Sequence, residues 1–256
     1  MSATAFVRPL LALFAAAGLL AGCVGARGAG EKEMAHVPPQ TGVLFRSVEL
    51  RGSTFAYAVY IPRGYDPTRE WPCVVFLNGR GECGRDGQRH LSVGMLPAIL
   101  NNEAEWPCIA VFPQKPDQES EWADHEQLVL EILAAAKSQW KVDASRVALT
   151  GLSQGGAGTW MIGSRHPETF SRLAPICGYG EPALIAAGAS ALPVWAFHGE
   201  RDDIVKPEQT RAIVAAIKAT NPNASVRATY YPDANHNSWD RAYRNEKLGL
   251  WLTQPR

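Results

Sequence analysis

No run of lysine or arginine occurs anywhere in the 256 residues, and 25 basic residues face 25 acidic ones. The field that draws proteins to nucleic acid is therefore missing, and no nucleic-acid partner is expected. Cysteine is sparse, at five, and no two stand in a CxxC spacing, which removes zinc-ribbon and thioredoxin chemistry. No fixed-period repeat or low-complexity tract appears, so solenoids and propellers fall away. The Gly-rich stretches lack the GK[ST] ending of a phosphate loop. Nor does any long insertion break the alternation of short and long segments to supply a lid.

What is present starts at the N-terminus. Arg8 is followed by an uncharged, Leu- and Ala-rich stretch from Pro9 to Ala26, the layout of an export signal. It contains Leu20, Ala21, Gly22 and Cys23, which resembles the lipobox of bacterial lipoproteins. The expectation is a signal peptide over 1–22 and lipidation of Cys23, which would place the protein in the periplasm or on the cell surface, held to a membrane through its anchor alone. Ordinary cleavage near Ala15–Ala17 and an uncleaved anchor are the alternatives. Without residues 1–22 the chain keeps 24 basic and 25 acidic residues, so charge says little about substrate. Residues 23–41, with Gly25, Gly28, Gly30, Pro38 and Pro39, read as a flexible tether ahead of one catalytic domain over 42–256. In an oxidising compartment Cys73, Cys83, Cys108 and Cys177 could stay free in the core or form one or two bridges.

From Val43 onward short apolar runs alternate with helical patterns, as in a mostly parallel sheet covered on both faces. Val43–Leu50 and Thr54–Ile61 form an opening hairpin. Six buried-type runs follow: Cys73–Leu77, Cys108–Phe112, Val147–Thr150, Leu173–Cys177, Val194–Phe197 and Val226–Tyr231. Helix candidates include Asp124–Trp140, Gln154–Arg165, Pro207–Lys218 and a closing helix over about Ser238–Leu252. Eight strands with interleaved helices in this order predict an α/β-hydrolase fold.

Gly151-Leu152-Ser153-Gln154-Gly155 is the sole GxSxG, and it joins a strand pattern to a helix pattern. That junction is where a nucleophile elbow must sit, with Ser153 held at a strained corner and small residues around it. A serine hydroxyl needs a base, and the base needs a carboxylate to fix its tautomer. In this fold the chain order is nucleophile, acid, base. Only His236 lies beyond the candidate acids, in a polar turn before the last helix. The spacing in His198-Gly199-Glu200-Arg201-Asp202-Asp203-Ile204-Val205 selects Asp202 as acid, leaving Asp203 to order the turn and His198 to brace the loop. Oxyanion donors are expected from the backbone amides of Gln154 and of Arg80, the latter in the loop Leu77-Asn78-Gly79-Arg80-Gly81-Glu82. Asn78-Gly79 stands where hydrolases of this type usually show His-Gly.

TGLSQGGAGTW, HPETF, APICGYG, FHGERDDIV and YPDANHNSWDRAY together resemble the bacterial predicted-peptidase and carboxylesterase group, related to dienelactone hydrolase and to prolyl oligopeptidase catalytic domains. The resemblance covers nearly all of residues 43–253 and implies a cofactor-free, metal-independent esterase acting on small or aryl esters, with feruloyl or acetyl esters of plant polysaccharide as recurrent substrates. Cys83 stands where that group's GERG loop carries Arg, and a Cys83–Cys177 pair near the site mouth is one possibility. Trp122 and Trp239 flank the expected site and are candidates for an aromatic wall around an acyl or sugar group. A peptidase with the same triad and a carbohydrate-binding lipoprotein with a relic triad remain the rival readings, and the oligomeric state is open.

Overall fold

A computed structural model describes residues 40–256; the expected signal peptide, Cys23 and most of the tether lie outside the described residues. Strand β1 (Gly42–Leu50) turns back into β2 (Ser53–Ile61) through Arg51 and Gly52, both at positive φ, as a two-residue turn between twisted strands requires. Then follow β3 (Trp71–Leu77), α1 (Met95–Asn101), β4 (Ile109–Pro113), α2 (Glu126–Gln139), β5 (Val142–Leu152) and α3 (Gln154–Arg165). The chain continues through β6 (Arg172–Ile176), α4 (Pro182–Ala189), β7 (Val194–Gly199), α5 (Glu208–Thr220), β8 (Val226–Tyr231), α6 (Trp239–Asn245) and α7 (Leu248–Leu252).

The eight strands lie in one sheet in the order β1-β2-β4-β3-β5-β6-β7-β8. Strand β2 is antiparallel to both its neighbours and all later pairings are parallel. The alternation of side chains along each strand feeds two separate cores. Cys73, Val75 and Leu77 of β3 pack with α2, α3, α4 and α5, while Val74 and Phe76 face the side closed by α1, α6 and α7. Parallel strands covered on both faces read as continuous apolar runs, and β3 and β4 are buried at every position.

Three expected elements differ in extent. The helix expected over Asp124–Trp140 starts as a 3₁₀ turn, Trp122–His125, closed by a capping box in which the Glu121 and Asp124 side chains each accept from the other's end of the turn. The closing helix breaks at Lys247, which takes the left-handed conformation at φ 53. That break turns the chain so that Leu248 and Leu252 reach the same core as Tyr243. Strand β5 begins at Val142, well before the apolar run that marks it in the sequence.

Candidate active site

Helix α3 shows why the turn around Ser153 has its sequence. It carries Gly155 and Gly156 in its first turn although each glycine costs about 1 kcal/mol relative to alanine inside a helix. A Cβ on Gly155 would sit 2.0 Å from the Leu77 carbonyl oxygen, and one on Gly156 would sit 2.4 Å from that of Ile176. The helix start is thus wedged between the ends of β3 and β6, and only backbone fits. Ser153, between β5 and α3, has φ 55 and ψ −118, a strained geometry for a residue with a side chain. Its backbone N–H donates to Ile176 O at 2.9 Å, which pins the corner to the neighbouring strand.

At that corner the structure brings together three side chains from distant segments. His236, in the loop between β8 and α6, places Nε2 2.9 Å from Ser153 Oγ. Its Nδ1 lies 2.7 Å from Asp202 Oδ2. A carboxylate only accepts, so Nδ1 carries the imidazole proton and Nε2 is left free to accept from the serine hydroxyl. Asp202 is 2% exposed. Its other oxygen accepts from the Ile204 and Val205 amides at 3.0 and 2.9 Å, so this residue itself orders the turn. Asp203, expected in that role, is exposed to solvent instead.

His198 braces the loop. Its Nε2 donates to Val205 O at 2.8 Å, and its Nδ1 pairs with Thr210 Oγ1 at 2.7 Å. Burial lowers its pKa.

Arg80 and Gln154 hold the first positions of a 3₁₀ turn (Arg80–Glu82) and of α3. Amides there have no acceptor within their own turn, so both are available to a developing negative charge. The Ser153 amide is not, being bound to Ile176 O. The Arg80 side chain is largely exposed, 3.9 Å from Glu119, so only its backbone belongs to the site.

Polar side chains whose contacts pattern reading did not give hold this loop. Asn78 Nδ2 donates to Gly79 O at 2.7 Å, and Asn78 Oδ1 accepts from the Lys115 amide at 3.1 Å. Lys115, fully buried, donates through Nζ to the Asp117 carbonyl and, at 2.6 Å, to Ser120 O. The Gln154 side chain donates to the same Ser120 carbonyl at 3.0 Å. Glu121 Oε1 accepts from Tyr179 Oη at 2.8 Å, which ties this segment to the end of β6. Lys115 and the Gln154 side chain sit in polar or Gly-rich stretches whose pattern carries no signal for such a role.

One expectation needs correction, and one open alternative closes. Trp122 cannot wall a substrate site: it is fully buried, packs against Gly158, and its Nε1 donates to Asn78 O at 2.8 Å. Its large ring fills the space beside glycine-rich α3, so it supports the loop after β3 from below. Nor do the cysteines pair, since Cys73, Cys83, Cys108 and Cys177 are all free and buried. The Cys83 thiol faces Gly79 O at 3.5 Å, whereas Cys177 lies beside Asp202 and His236, and burial pushes its pKa up to about 12. Trp239 is partly exposed and meets the His236 ring edge-on, with centroids 5.6 Å apart.

Two concavities flank Tyr179. One, about 330 Å³, is lined by Glu121, Asp124, Met161 and Tyr179 itself. The other, about 480 Å³, lies between Tyr179 and Ile204, Lys206 and Gln209, and Ile204 is 71% exposed there.

The sheet order, the helix layers and the elbow define an α/β-hydrolase fold. The sequence profile of the dienelactone hydrolase family matches residues 97–246, and the chain belongs to that family. NocK of Nocardia uniformis subsp. tsuyamanensis, provisionally assigned as an esterase, is 25% identical over 170 residues, 62% of this chain and 48% of that one. The bifunctional acetylxylan esterase/xylanase XynS20E of Neocallimastix patriciarum is 28% identical over 183 residues, 68% of this chain and 26% of that one. This chain therefore spans about half the length, or less, of these curated relatives. Among solved structures, a thermostable esterase superposes with a TM-score of 0.72 at 27% identity, over 84% of this chain and 63% of that one. The feruloyl esterase module of Clostridium thermocellum shares the fold, with a TM-score of 0.67 at 19% identity over 84% of this chain and 89% of that one.

Proposed function

We propose that this chain is a serine esterase in which Ser153 is the nucleophile, His236 the base and Asp202 the acid. The observation that carries the reading is the continuous relay from Ser153 Oγ through His236 to Asp202, at 2.9 and 2.7 Å. The dienelactone hydrolase family and the esterase names of relatives at 25–28% identity support hydrolysis of a carboxylic ester.

Ser153 Oγ attacks the ester carbonyl as its proton passes to His236 Nε2. The imidazolium so formed is stabilised by the Asp202 carboxylate. Charge developing on the carbonyl oxygen is met by the Arg80 and Gln154 amides, each worth on the order of 10²- to 10³-fold in rate. His236 then protonates the leaving alcohol, and water activated by the same imidazole releases the acyl group.

Trp239, partly exposed and edge-on to the His236 ring, suits contact with a small or aryl acyl group or a sugar-borne alcohol. Acetyl or feruloyl esters of polysaccharide fit that description, and the likeness to an acetylxylan esterase points the same way. A panel of acetyl, feruloyl and long-chain acyl esters tests the reading. The first two are expected to turn over fastest, and turnover confined to long-chain lipids or to peptides would contradict it.

The N-terminal pattern supports export and lipidation at Cys23 as part of the same proposal. Fatty-acid label incorporated in the parent and lost in Cys23→Ala is the expected result.

A further inference from the structure

The acid and base adjoin a group that the hydrolysis does not use. The Cys177 thiol is fully buried, and one donor atom each from Cys177, Asp202 and His236 falls within 4.8 Å of the other two. Cys177 holds a positive φ of 41, with its amide donating to Phe197 O at 2.8 Å. A non-glycine residue in that conformation is strained, so the fold imposes the direction of this side chain. Ser238, whose amide donates to His236 O at 2.9 Å, is wholly buried, and its hydroxyl has no hydrogen-bond partner. Buried hydroxyls are nearly always satisfied, which makes this one a free polar atom two residues along the chain from His236.

We propose that Cys177, Asp202 and His236 form a binding site for a thiophilic divalent cation such as Zn²⁺ or Cd²⁺, whose occupancy shuts off the hydrolase. Thiolate, imidazole and carboxylate are the donor set that zinc prefers, and oxygen-seeking ions such as Mg²⁺ do not. Charge fits as well: one thiolate and one carboxylate neutralise a divalent ion, and a neutral complex is the one a buried site tolerates. Around a tetrahedral ion with ordinary bond lengths these donors stand roughly 3.4–3.6 Å apart, so the His236 Nδ1–Asp202 Oδ2 pair, now at 2.7 Å, opens by under about 1 Å as the ion enters between them and the thiol. Ser238 Oγ or a water completes the fourth position.

Binding releases one proton overall. The thiol gives its proton to solvent, Nδ1 of His236 loses its proton to become a ligand, and Nε2 gains one. With Nε2 protonated, the imidazole can no longer accept from Ser153, so inhibition follows from the tautomer change alone. His236 is the one partly exposed member of the trio, so the ion enters as its ring swings outward.

The inhibition part rests on the triad reading; the binding part does not. The test uses the full chain with Cd²⁺ or Co²⁺, reading the thiolate-to-metal charge-transfer absorption, and uses Zn²⁺ inhibition normalised to each variant's own rate. The charge-transfer band is expected in the parent and in Ser153→Ala, and is expected to vanish in both Cys177→Ala and Cys177→Ser. The Zn²⁺ inhibition constant is expected to rise at least about tenfold in the Cys177 variants, the loss seen even when an outer partner of a metal is removed. No band in the parent, or a band and inhibition constant unchanged in a folded Cys177 variant, overturns the site. A band in Ser153→Ala alongside esterase activity undiminished in that variant would instead overturn the triad reading while leaving the metal site standing.

Discussion

His198 Nε2 lies 3.3 Å from Asp202 Oδ2, the oxygen that His236 Nδ1 reaches at 2.7 Å. The two rings thus flank one carboxylate, and His198 is itself held by the Val205 carbonyl and the Thr210 hydroxyl. His198 touches no reacting atom and acts by positioning. Replacing His198 with Ala is expected to lower kcat by about 10- to 100-fold while KM changes little, because loss of support for a catalytic group falls on the chemical step. Steady-state kinetics on p-nitrophenyl acetate checks this, and an effect confined to KM would contradict it.

The neighbouring carboxylates separate cleanly. Asp202→Asn leaves the shape of the acid but favours the wrong imidazole tautomer, and it is expected to lower kcat on the order of 10⁴-fold. Asp203→Asn, at an exposed position, is expected to stay within about threefold of the parent, as surface substitutions do. The same assay distinguishes them.

Backbone crowding at the elbow gives a stability prediction. Gly155→Ala would force a methyl to 2.0 Å from the Leu77 carbonyl, and no flexible atom can yield there. A loss of more than about 4 kcal/mol is expected, read as insoluble expression or a collapsed Tm. Gly81→Ala, in the same site region, meets nothing within 4 Å and should keep its Tm within a few degrees, since about 1 kcal/mol shifts Tm by only 2–4 °C in a chain of this size.

His90 makes stability depend on pH. It is fully buried, its Nε2 donates to Phe112 O at 2.9 Å, its Nδ1 has no partner, and burial lowers its pKa to about 4. Below about pH 6.5 the unfolded chain takes up a proton that the folded chain refuses, so stability falls as pH drops from about 6.5 to about 4, by up to about 3 kcal/mol. Above that window His90 is neutral in both states and contributes no pH dependence. His90→Gln can still donate to Phe112 O and cannot titrate, so its denaturation midpoint is expected to fall less steeply over the same window. An identical slope in the two proteins would contradict the assignment.

Much of this architecture was readable before any coordinates. The opening hairpin and the six apolar runs are the eight strands, and the inner ones stand out because a strand buried on both faces leaves an unbroken hydrophobic signature, as Trp71–Leu77 does. Ser153, Asp202 and His236 were legible because each sits in a short local pattern at the end of a strand. Helix α1 and helix α4 were not, since seven residues in one and an Ala-rich stretch in the other give too little amphipathic period. Trp122 was misread because distance in sequence from Ser153 says nothing about which way an indole points. Lys115 and Tyr179 escaped notice for a related reason: their roles come from contacts with Asn78, Ser120 and Glu121 that only the folded chain assembles.

The central claim is that the Ser153 hydroxyl is activated by His236, and covalent trapping measures that most directly. Incubation with a fluorophosphonate followed by peptide mass analysis is expected to place one adduct on Ser153, with none in Ser153→Ala and much slower labelling in His236→Ala. Ester turnover in Ser153→Ala is expected to fall on the order of 10⁶-fold, the loss found when a triad nucleophile is removed. An adduct on another residue, or a Ser153→Ala protein hydrolysing p-nitrophenyl acetate at the parent rate, would contradict the account.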